Sequence, residues 1–174
     1  MLLPRRRVMD DRPYWPRMAM AFLALGGLIN SSYLTIHRLR PTQSAPLVCG
    51  VVGNCEAVQA SKYSVFPPTN GIPVAYIGFV GFLLLVVLSV LSLQRSQIGR
   101  FSLPTINLVL ASGGLAFSAY LTAIEAWVLH EWCQWCIISA VVAVLFWALA
   151  GFDWWQARRS VDSESLEPAN ATAV

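Results

Sequence analysis

The sequence predicts an all-α integral membrane protein, a four-transmembrane-helix bundle with a large extracytoplasmic loop between helices 1 and 2. Of its 174 residues, 56% are hydrophobic and only 12% are charged, whereas soluble domains carry about 25% charged residues. Four apolar runs are long enough to cross a bilayer, which takes about 20 residues in a helix. The connections between these runs are too short for a soluble domain, which usually has at least about 50 residues.

The four spans follow from the positions of the apolar runs, which are residues 18–36, 74–93, 105–129 and 137–155. The first run has a basic leader like that of a signal peptide, but it lacks a clear cleavage site, so we interpret it as an uncleaved anchor. A cluster of Pro and Gly at residues 67–73 ends the loop before the second span. Pro104 suits the first turn of the third helix.

Three regions are predicted from this pattern. Residues 1–17 form a basic cytoplasmic N terminus, and residues 18–155 form the four-helix membrane domain with its extracytoplasmic loop at residues 37–73. Residues 156–174 are rich in Ser, Glu, Ala and Asp, a composition typical of disordered segments. We therefore expect a disordered cytoplasmic tail.

The basic residues are unevenly distributed between the two sides of the predicted membrane domain. One side has three, which are Arg38, Arg40 and Lys62, and the other has nine, which are Arg5, Arg6, Arg7, Arg12, Arg17, Arg95, Arg100, Arg158 and Arg159. Because positively charged loops stay cytoplasmic, we expect a multi-pass protein of the cell inner membrane with both termini inside. The same rule explains the basic N terminus without a nucleic-acid partner.

The four cysteines form two clusters, and the predicted topology places both on the extracytoplasmic side. Cys49 and Cys55 lie in the first outer connection, with two glycines between them, and Cys133 and Cys136 form a C-x-x-C motif at the mouth of the fourth helix. Residues i and i+3 of a helix share a face, and the helix N terminus stabilises thiolate, the attacking species in disulfide exchange. A mobile pair beside a fixed pair suits sequential thiol–disulfide exchange.

Two other interpretations of the cysteines remain open. Two structural disulfides would use the same residues, although a C-x-x-C bridge closes a tiny loop and constrains little. A zinc site with four thiolates would also use them, although the C-x5-C pair is spaced more widely than paired zinc ligands usually are. We therefore favour redox-active cysteines and predict no metal.

Several motifs resemble those of bacterial members of the vitamin K epoxide reductase family, over roughly residues 18–155. In order, they are Ser32-Tyr33-Leu34-Thr35, Cys49-x5-Cys55, Ser61-Lys62-Tyr63-Ser64, Gly71-Ile72-Pro73, Tyr120-Leu121, Glu125 and Cys133-Gln134-Trp135-Cys136. The resemblance implies a four-helix bundle around a quinone of the menaquinone, ubiquinone or vitamin K type.

The resemblance also implies a role for each cysteine. Cys133 and Cys136 would be the active-site pair, with Cys136 contacting the quinone. Cys55 would attack their disulfide to form a transient Cys55–Cys133 link, and Cys49 would exchange with an external thiol partner. Ser61 resembles a family serine or threonine near the quinone, although a helix or turn cap is an equal alternative.

The function implied is that of a membrane thiol–disulfide oxidoreductase. It would oxidise the dithiol of a separate thioredoxin-like or DsbA-like partner, reduce a quinone and support disulfide formation in exported proteins. The animal enzymes have a tyrosine where this chain has Ala140, which favours a plain quinone over vitamin K epoxide.

Three alternatives to this function remain open. A DsbB-type quinone reductase would carry its C-x-x-C on the first outer loop, so the order of the two pairs here disfavours it. The second is a non-enzymatic protein with two structural disulfides, and the third is a reductase that chiefly recycles the quinone.

Two polar residues within the predicted spans have more than one interpretation. Charged groups inside a span are rare and functional by default. Glu125 lies near the outer end of the third span, where burial costs less, so polar anchoring is favoured over support of Tyr or Ser groups inside the bundle. Asn30 is expected to form a hydrogen bond between helices, with contact to a quinone as the less favoured alternative.

Overall fold

The computed structural model describes residues 13–40, 49, 53–68, 71–95, 97–98 and 101–170. Four of its helical segments are long and apolar enough to cross a membrane. This agrees with the predicted multi-pass helical protein, and each helical segment contains most or all of one predicted span. Parts of the predicted loop at residues 37–73 lie outside the described residues, so its size stays a prediction.

The chain forms five α-helices and two small antiparallel hairpins in the described residues. In order, the elements are α1 (Trp15–Leu39), α2 (Cys55–Ala60), a 3-10 turn (Lys62–Ser64), β1 (Val65–Phe66), β2 (Ile72–Pro73), α3 (Val74–Gln94), β3 (Gln97–Ile98), β4 (Phe101–Ser102), α4 (Leu103–Ile124), a π-helical turn (Glu125–Leu129) and α5 (Gln134–Asn170). β1 pairs with β2 on the side of the bundle where α1 ends, and β3 pairs with β4 on the opposite side.

Proline sets the start of three of the four long helices. Pro16 and Pro104 occupy the first turns of α1 and α4, and Pro73 directly precedes α3. A first-turn proline costs the helix no hydrogen bond, since the N–H groups there have no partner within the helix. Because Pro16 fits this position, α1 begins at Trp15, three residues before the predicted span.

The fourth long helix continues further than the sequence predicts. The predicted span ends at residue 155 and disorder is expected beyond it, but α5 is helical to Asn170. Arg158 lies over the ring of Trp154 at 4.1 Å and Arg159 over that of Trp155 at 3.6 Å. These i, i+4 cation–π pairs stabilise the helix where it leaves the apolar segment. Residues 171–174 lie outside the described part of the chain.

The bundle is held together by a narrow apolar core and exposes apolar side chains around it. α1 packs mainly against α3 and α5, and α4 packs against α5. The buried core consists of Met20, Ala24, Leu85, Ala111, Phe146 and Ala150. Large apolar side chains point outward, among them Phe22 and Val109, each 68% exposed. Such a surface is suited to contact with lipid, where backbone polar groups must be paired within helices.

A buried ion pair joins three helices at one end of the bundle. Arg17, predicted to lie in the N-terminal lead-in, is instead within α1, and its Nε is 3.1 Å from Oδ1 of Asp153 in α5. Its Nη1 also donates to the Ser92 carbonyl of α3 at 3.2 Å. Arg17 and Asp153 are only 4% and 1% exposed. The start of α1, the end of α3 and the second half of α5 therefore meet at this end.

We expect Arg17→Met to lower the free energy of unfolding by about 3–5 kcal/mol, because it leaves the Asp153 carboxylate buried without its cation. Arg17→Met/Asp153→Leu should recover most of this loss, since no unpaired charge remains. Thermal unfolding in detergent micelles measures both effects. Arg95→Met, which removes an exposed arginine near the same end, is the control. Equal stability of Arg17→Met and Arg95→Met would contradict the prediction.

Candidate functional site

The two loop cysteines are joined to each other at the start of α2. Cys49 and Cys55 form a disulfide with their Cα atoms 6.0 Å apart. Cys55 is the first residue of α2, whose N-cap Asn54 accepts a hydrogen bond from the Ala57 N–H through its side chain. Cys55 is fully buried, whereas Cys49 is partly exposed. Of this pair, Cys49 is therefore the more accessible residue.

The loop pair is attached to the C-x-x-C segment through the backbone. Gly53 forms an antiparallel bridge with Cys133, and the Asn54 N–H donates to the Trp132 carbonyl at 3.0 Å. Gly53 has φ +91°, and a Cβ at this position would collide with the Trp132 carbonyl oxygen. Glycine is needed here both for the backbone conformation and for the close approach. The two cysteine pairs, distant in sequence, are thereby held side by side.

The C-x-x-C motif lies across the first turn of α5, as the sequence predicts. Cys133 precedes the helix and is fully buried, Cys136 is partly buried one turn inside, and both are thiols. The Cys133 sulfur accepts hydrogen bonds from the Cys136 thiol and from the backbone N–H groups of Cys136 and Trp135. These bonds, the first being the strongest, lower the pKa of Cys133 against the opposing effects of burial and the Glu125 charge.

Glu125 lies near the end of the third spanning segment, Leu103–Leu129, and contacts both residues of the C-x-x-C pair. Its Oε2 accepts a hydrogen bond from the Cys133 N–H at 3.1 Å, and the carboxylate also contacts the Cys136 thiol. The residue is 5% exposed and begins the π-helical turn, a widened turn often found at functional sites. His130 then reverses the chain at φ 53°. Polar anchoring, the favoured interpretation from sequence, does not account for the contact with Cys136.

Helix α1 supports the C-x-x-C turn from the other side. The Asn30 Nδ2 donates to the Trp135 carbonyl at 3.1 Å and to the Ser139 Oγ at 2.6 Å. The Tyr33 ring packs against the Trp135 ring with their centroids 4.7 Å apart. Asn30 therefore joins two helices, as predicted, and it fixes the first turn of α5.

An apolar cavity of about 350 Å³ lies inside the bundle, beside the second sulfur of the C-x-x-C motif. Small-molecule sites typically measure about 300–1,000 Å³ and combine apolar walls with a few polar groups. The wall includes Leu34, Ser61, Phe82, Phe117, Glu125 and Cys136. The described residues contain no group of three or more His, Cys, Asp or Glu side chains placed to bind a metal.

The position of Ser61 is compatible with both interpretations that the sequence leaves open, a helix or turn cap and a residue near the quinone. It is the C-cap residue of α2, and its Oγ donates to the Val58 carbonyl at 2.7 Å. It also lines the cavity that contains Cys136. A contact between Ser61 and a ligand remains a prediction.

Two features of the site are not evident from the sequence. The pairing of Gly53 and Asn54 with the Trp132–Cys133 segment joins positions far apart in the chain, and its only local signal is a glycine next to Asn54. The contact of Glu125 with the two cysteines joins residues on either side of the π-helical turn and the left-handed His130. Its signal is the presence of a charged residue within a span.

We expect Gly53→Ala to separate the two cysteine pairs, because the new Cβ clashes with a backbone oxygen and the backbone is left-handed. In a Cys49→Ala/Cys136→Ala background, mild oxidation should join Cys55 to Cys133 efficiently, and adding Gly53→Ala should reduce the yield several-fold. Gel mobility of tryptic fragments measures the cross-link. Gly26→Ala, at a glycine with open space around it, is the control and should retain the full yield. An unchanged yield in Gly53→Ala would contradict the prediction.

We expect Cys136→Ala to raise the pKa of the Cys133 thiol, because it removes the strongest hydrogen bond to that sulfur. The test uses a Cys49→Ala/Cys55→Ala background and follows the ultraviolet absorbance of thiolate against pH. With Cys136 present, the lower absorbance step belongs to Cys133. In the variant this step should move to higher pH. A step that stays in place would show that the backbone N–H groups alone lower the pKa.

Comparison with known proteins agrees with this geometry. A family model described as the vitamin K epoxide reductase family matches residues 18–150, a range that includes all four cysteines. No curated protein sequence matches the chain. The family-model match covers most of the chain and reaches into each of the four spanning helices. The chain therefore belongs to the vitamin K epoxide reductase family, whose members are membrane oxidoreductases.

Proposed function

We propose that this protein passes electrons from the dithiol of a thioredoxin-like or DsbA-like partner to a membrane quinone. The observation that carries the proposal is the placement of the two cysteine pairs. The loop pair has its more exposed sulfur at Cys49, and the C-x-x-C pair has Cys136 on the wall of an apolar cavity. Electrons entering from water would thus leave toward a lipid-soluble acceptor. The product is a disulfide in the partner, which supports disulfide formation in exported proteins.

The transfer into the protein begins at the loop disulfide. A thiolate of the partner attacks the Cys49 sulfur, the Cys49–Cys55 bond breaks and Cys55 leaves with the electron pair. The second thiol of the partner then displaces Cys49, so the partner becomes a disulfide and the loop pair a dithiol. The burial of Cys55 and the partial exposure of Cys49 support this order of attack.

The transfer between the pairs follows the same chemistry. Cys55 attacks the Cys133 sulfur of an oxidised C-x-x-C pair, and Cys136 leaves. Cys49 then attacks Cys55, Cys133 leaves, and the loop disulfide is restored beside a C-x-x-C dithiol. In the structure Cys49 is joined to Cys55 while Cys133 and Cys136 are free, which is the cysteine pairing that this transfer would leave. The lowered pKa of Cys133 favours the last step, because a thiol of low pKa is a better leaving group.

The cavity fits a quinone of the menaquinone, ubiquinone or vitamin K type by its volume and its apolar lining. Cys136 would contact the quinone, and Ser61 would provide a hydroxyl on the same wall. A bound quinone supplies an acceptor for two electrons and two protons. Formation of the Cys133–Cys136 disulfide releases both, so the exchange balances and the C-x-x-C pair is ready to react with the loop again.

The orientation in the membrane is part of the proposal. The four cysteines lie at the opposite end of the bundle from the Arg17–Asp153 pair. Nine basic residues are assigned to the latter side, and positive loops stay cytoplasmic. We therefore place both termini in the cytoplasm and both cysteine pairs on the extracytoplasmic side of the inner membrane. That compartment permits disulfide formation.

The decisive experiment is anaerobic quinone reduction by the purified protein with a reduced thioredoxin-like donor. Wild type should turn over, and Cys136→Ala and Cys49→Ala should each abolish turnover. Cys49→Ala should still react once with a small dithiol, because its C-x-x-C pair is intact. Both variants must keep the thermal stability of wild type for the comparison to count.

Three outcomes would overturn the proposal. Full turnover in both variants, or no quinone reduction by wild type with any donor, would favour two structural disulfides in a non-enzymatic protein. Reduction of vitamin K epoxide at a rate equal to that of a plain quinone would instead favour a reductase that chiefly recycles the quinone.

A further inference from the structure

We propose that Glu125 is a catalytic residue that takes the proton of the Cys136 thiol when the Cys133–Cys136 disulfide forms. It then passes this proton to the bound quinone, and this second step rests on the proposed function. The inference begins with a buried carboxyl group that contacts the Cys136 thiol and the Cys133 backbone and also lines the cavity.

The position of Glu125 suits proton transfer with little movement. Its Oε2 is held by the Cys133 N–H at 3.1 Å, and its carboxylate contacts the Cys136 thiol. The side chain also forms part of the cavity wall. The carboxyl group is therefore adjacent both to the proton donor and to the space that a ligand would occupy. A general acid or base must lie within such hydrogen-bond reach of the proton it moves.

Formation of the Cys133–Cys136 disulfide changes the hydrogen bonds that the Glu125 carboxylate accepts. In the described part of the chain, Glu125 has no ion-pair partner, so its hydrogen-bond donors must compensate for burial. In the dithiol state these donors are the Cys133 N–H and the Cys136 thiol, whose single proton is shared between the Glu125 carboxylate and the Cys133 sulfur. Disulfide formation removes the thiol donor and releases its proton at the carboxylate. The proton is thus set free next to a base that has just lost a hydrogen bond.

The step balances in atoms and charge. The Cys133–Cys136 Sγ–Sγ bond forms and both S–H bonds break, so two electrons and two protons leave the cysteines. The electrons pass to the quinone. The proton of Cys136 moves to Glu125 and then to one quinone oxygen, and the proton of Cys133 reaches the other. Glu125 ends the step as the carboxylate it was at the start.

A purely structural role for Glu125 would make a different prediction. Glutamine keeps a side-chain oxygen that can accept the Cys133 N–H bond, so Glu125→Gln preserves anchoring of the C-x-x-C turn. It cannot accept a proton. The two roles are therefore separated by this variant, with Glu125→Asp as the conservative variant that retains the carboxyl group.

The first readout needs no quinone. In a Cys49→Ala/Cys55→Ala background, only the C-x-x-C pair changes between reduced and oxidised dithiothreitol, and infrared difference spectra report carboxyl protonation. We expect a carboxylic-acid band to appear on oxidation and to shift in deuterium oxide. The band should be absent in Glu125→Gln and shifted in frequency in Glu125→Asp. Glu131→Gln, at a carboxyl group two residues before Cys133, is the matched control and should keep the band.

The second readout is quinone reduction by the pre-reduced protein with all four cysteines. Loss of a general acid–base group typically lowers a rate about 10²–10⁴-fold, so we expect at least about a 100-fold loss in Glu125→Gln. Glu125→Asp should retain part of the rate, and Glu131→Gln should match wild type. If Glu125→Gln does not fold, the infrared spectra of wild type and Glu125→Asp still decide the question.

The outcomes separate this inference from the proposed function. An identical infrared band in wild type and Glu125→Gln, no band in wild type, or wild-type quinone reduction in Glu125→Gln would each overturn the role of Glu125. A Glu125-dependent band in a wild type that reduces no quinone would support proton transfer from Cys136 and would contradict the proposed acceptor.

Discussion

The backbone contact between Gly53–Asn54 and Trp132–Cys133 is the constraint on which the rest of the site depends. It is a single short bridge between a loop and a helix mouth, yet it determines which sulfurs are neighbours. Backbone hydrogen bonds set position more rigidly than side-chain contacts, because they involve no rotamer freedom. A thiol relay needs that rigidity, since exchange requires direct contact between sulfurs.

The membrane environment explains why the site lies at the end of the bundle. Within hydrocarbon every backbone polar group must be paired, so irregular chain is tolerated only near the interface or within protein. The π-helical turn Glu125–Leu129 and the left-handed His130 occur where the third span ends. Glu125 is the first residue of this irregular segment, and the cysteines that it contacts follow the segment in the chain. The carboxyl group and the dithiol therefore lie on either side of the irregularity that ends the third span.

The sequence predicts the elements of this protein better than their contacts. Four spans follow from apolar length alone, because each must cover the bilayer, but their ends depend on local interactions such as Pro16 in α1 and the Arg–Trp pairs of α5. The C-x-x-C at a helix start was predictable from i, i+3 spacing. The Gly53–Cys133 bridge was not, since pairing between distant segments leaves no periodic signal. Glu125 was recognised as unusual, but its contact with the cysteines was not, because they lie beyond a change of chain direction at His130 that the sequence does not predict.

The two C-x-x-C sulfurs have different surroundings, which would suit them to different steps of the proposed relay. Cys133, just before the first turn of α5, lies beside the loop bridge and accepts hydrogen bonds from backbone N–H groups, which suits it to exchange with another cysteine. Cys136, one turn deeper, lies on the cavity wall and contacts Glu125 instead. An advance of three residues along a helix is about 4.5 Å, enough to move a sulfur from the loop to the cavity while both remain close enough to pair. The three-residue spacing of the motif thus places one sulfur beside the loop pair and the other beside the cavity.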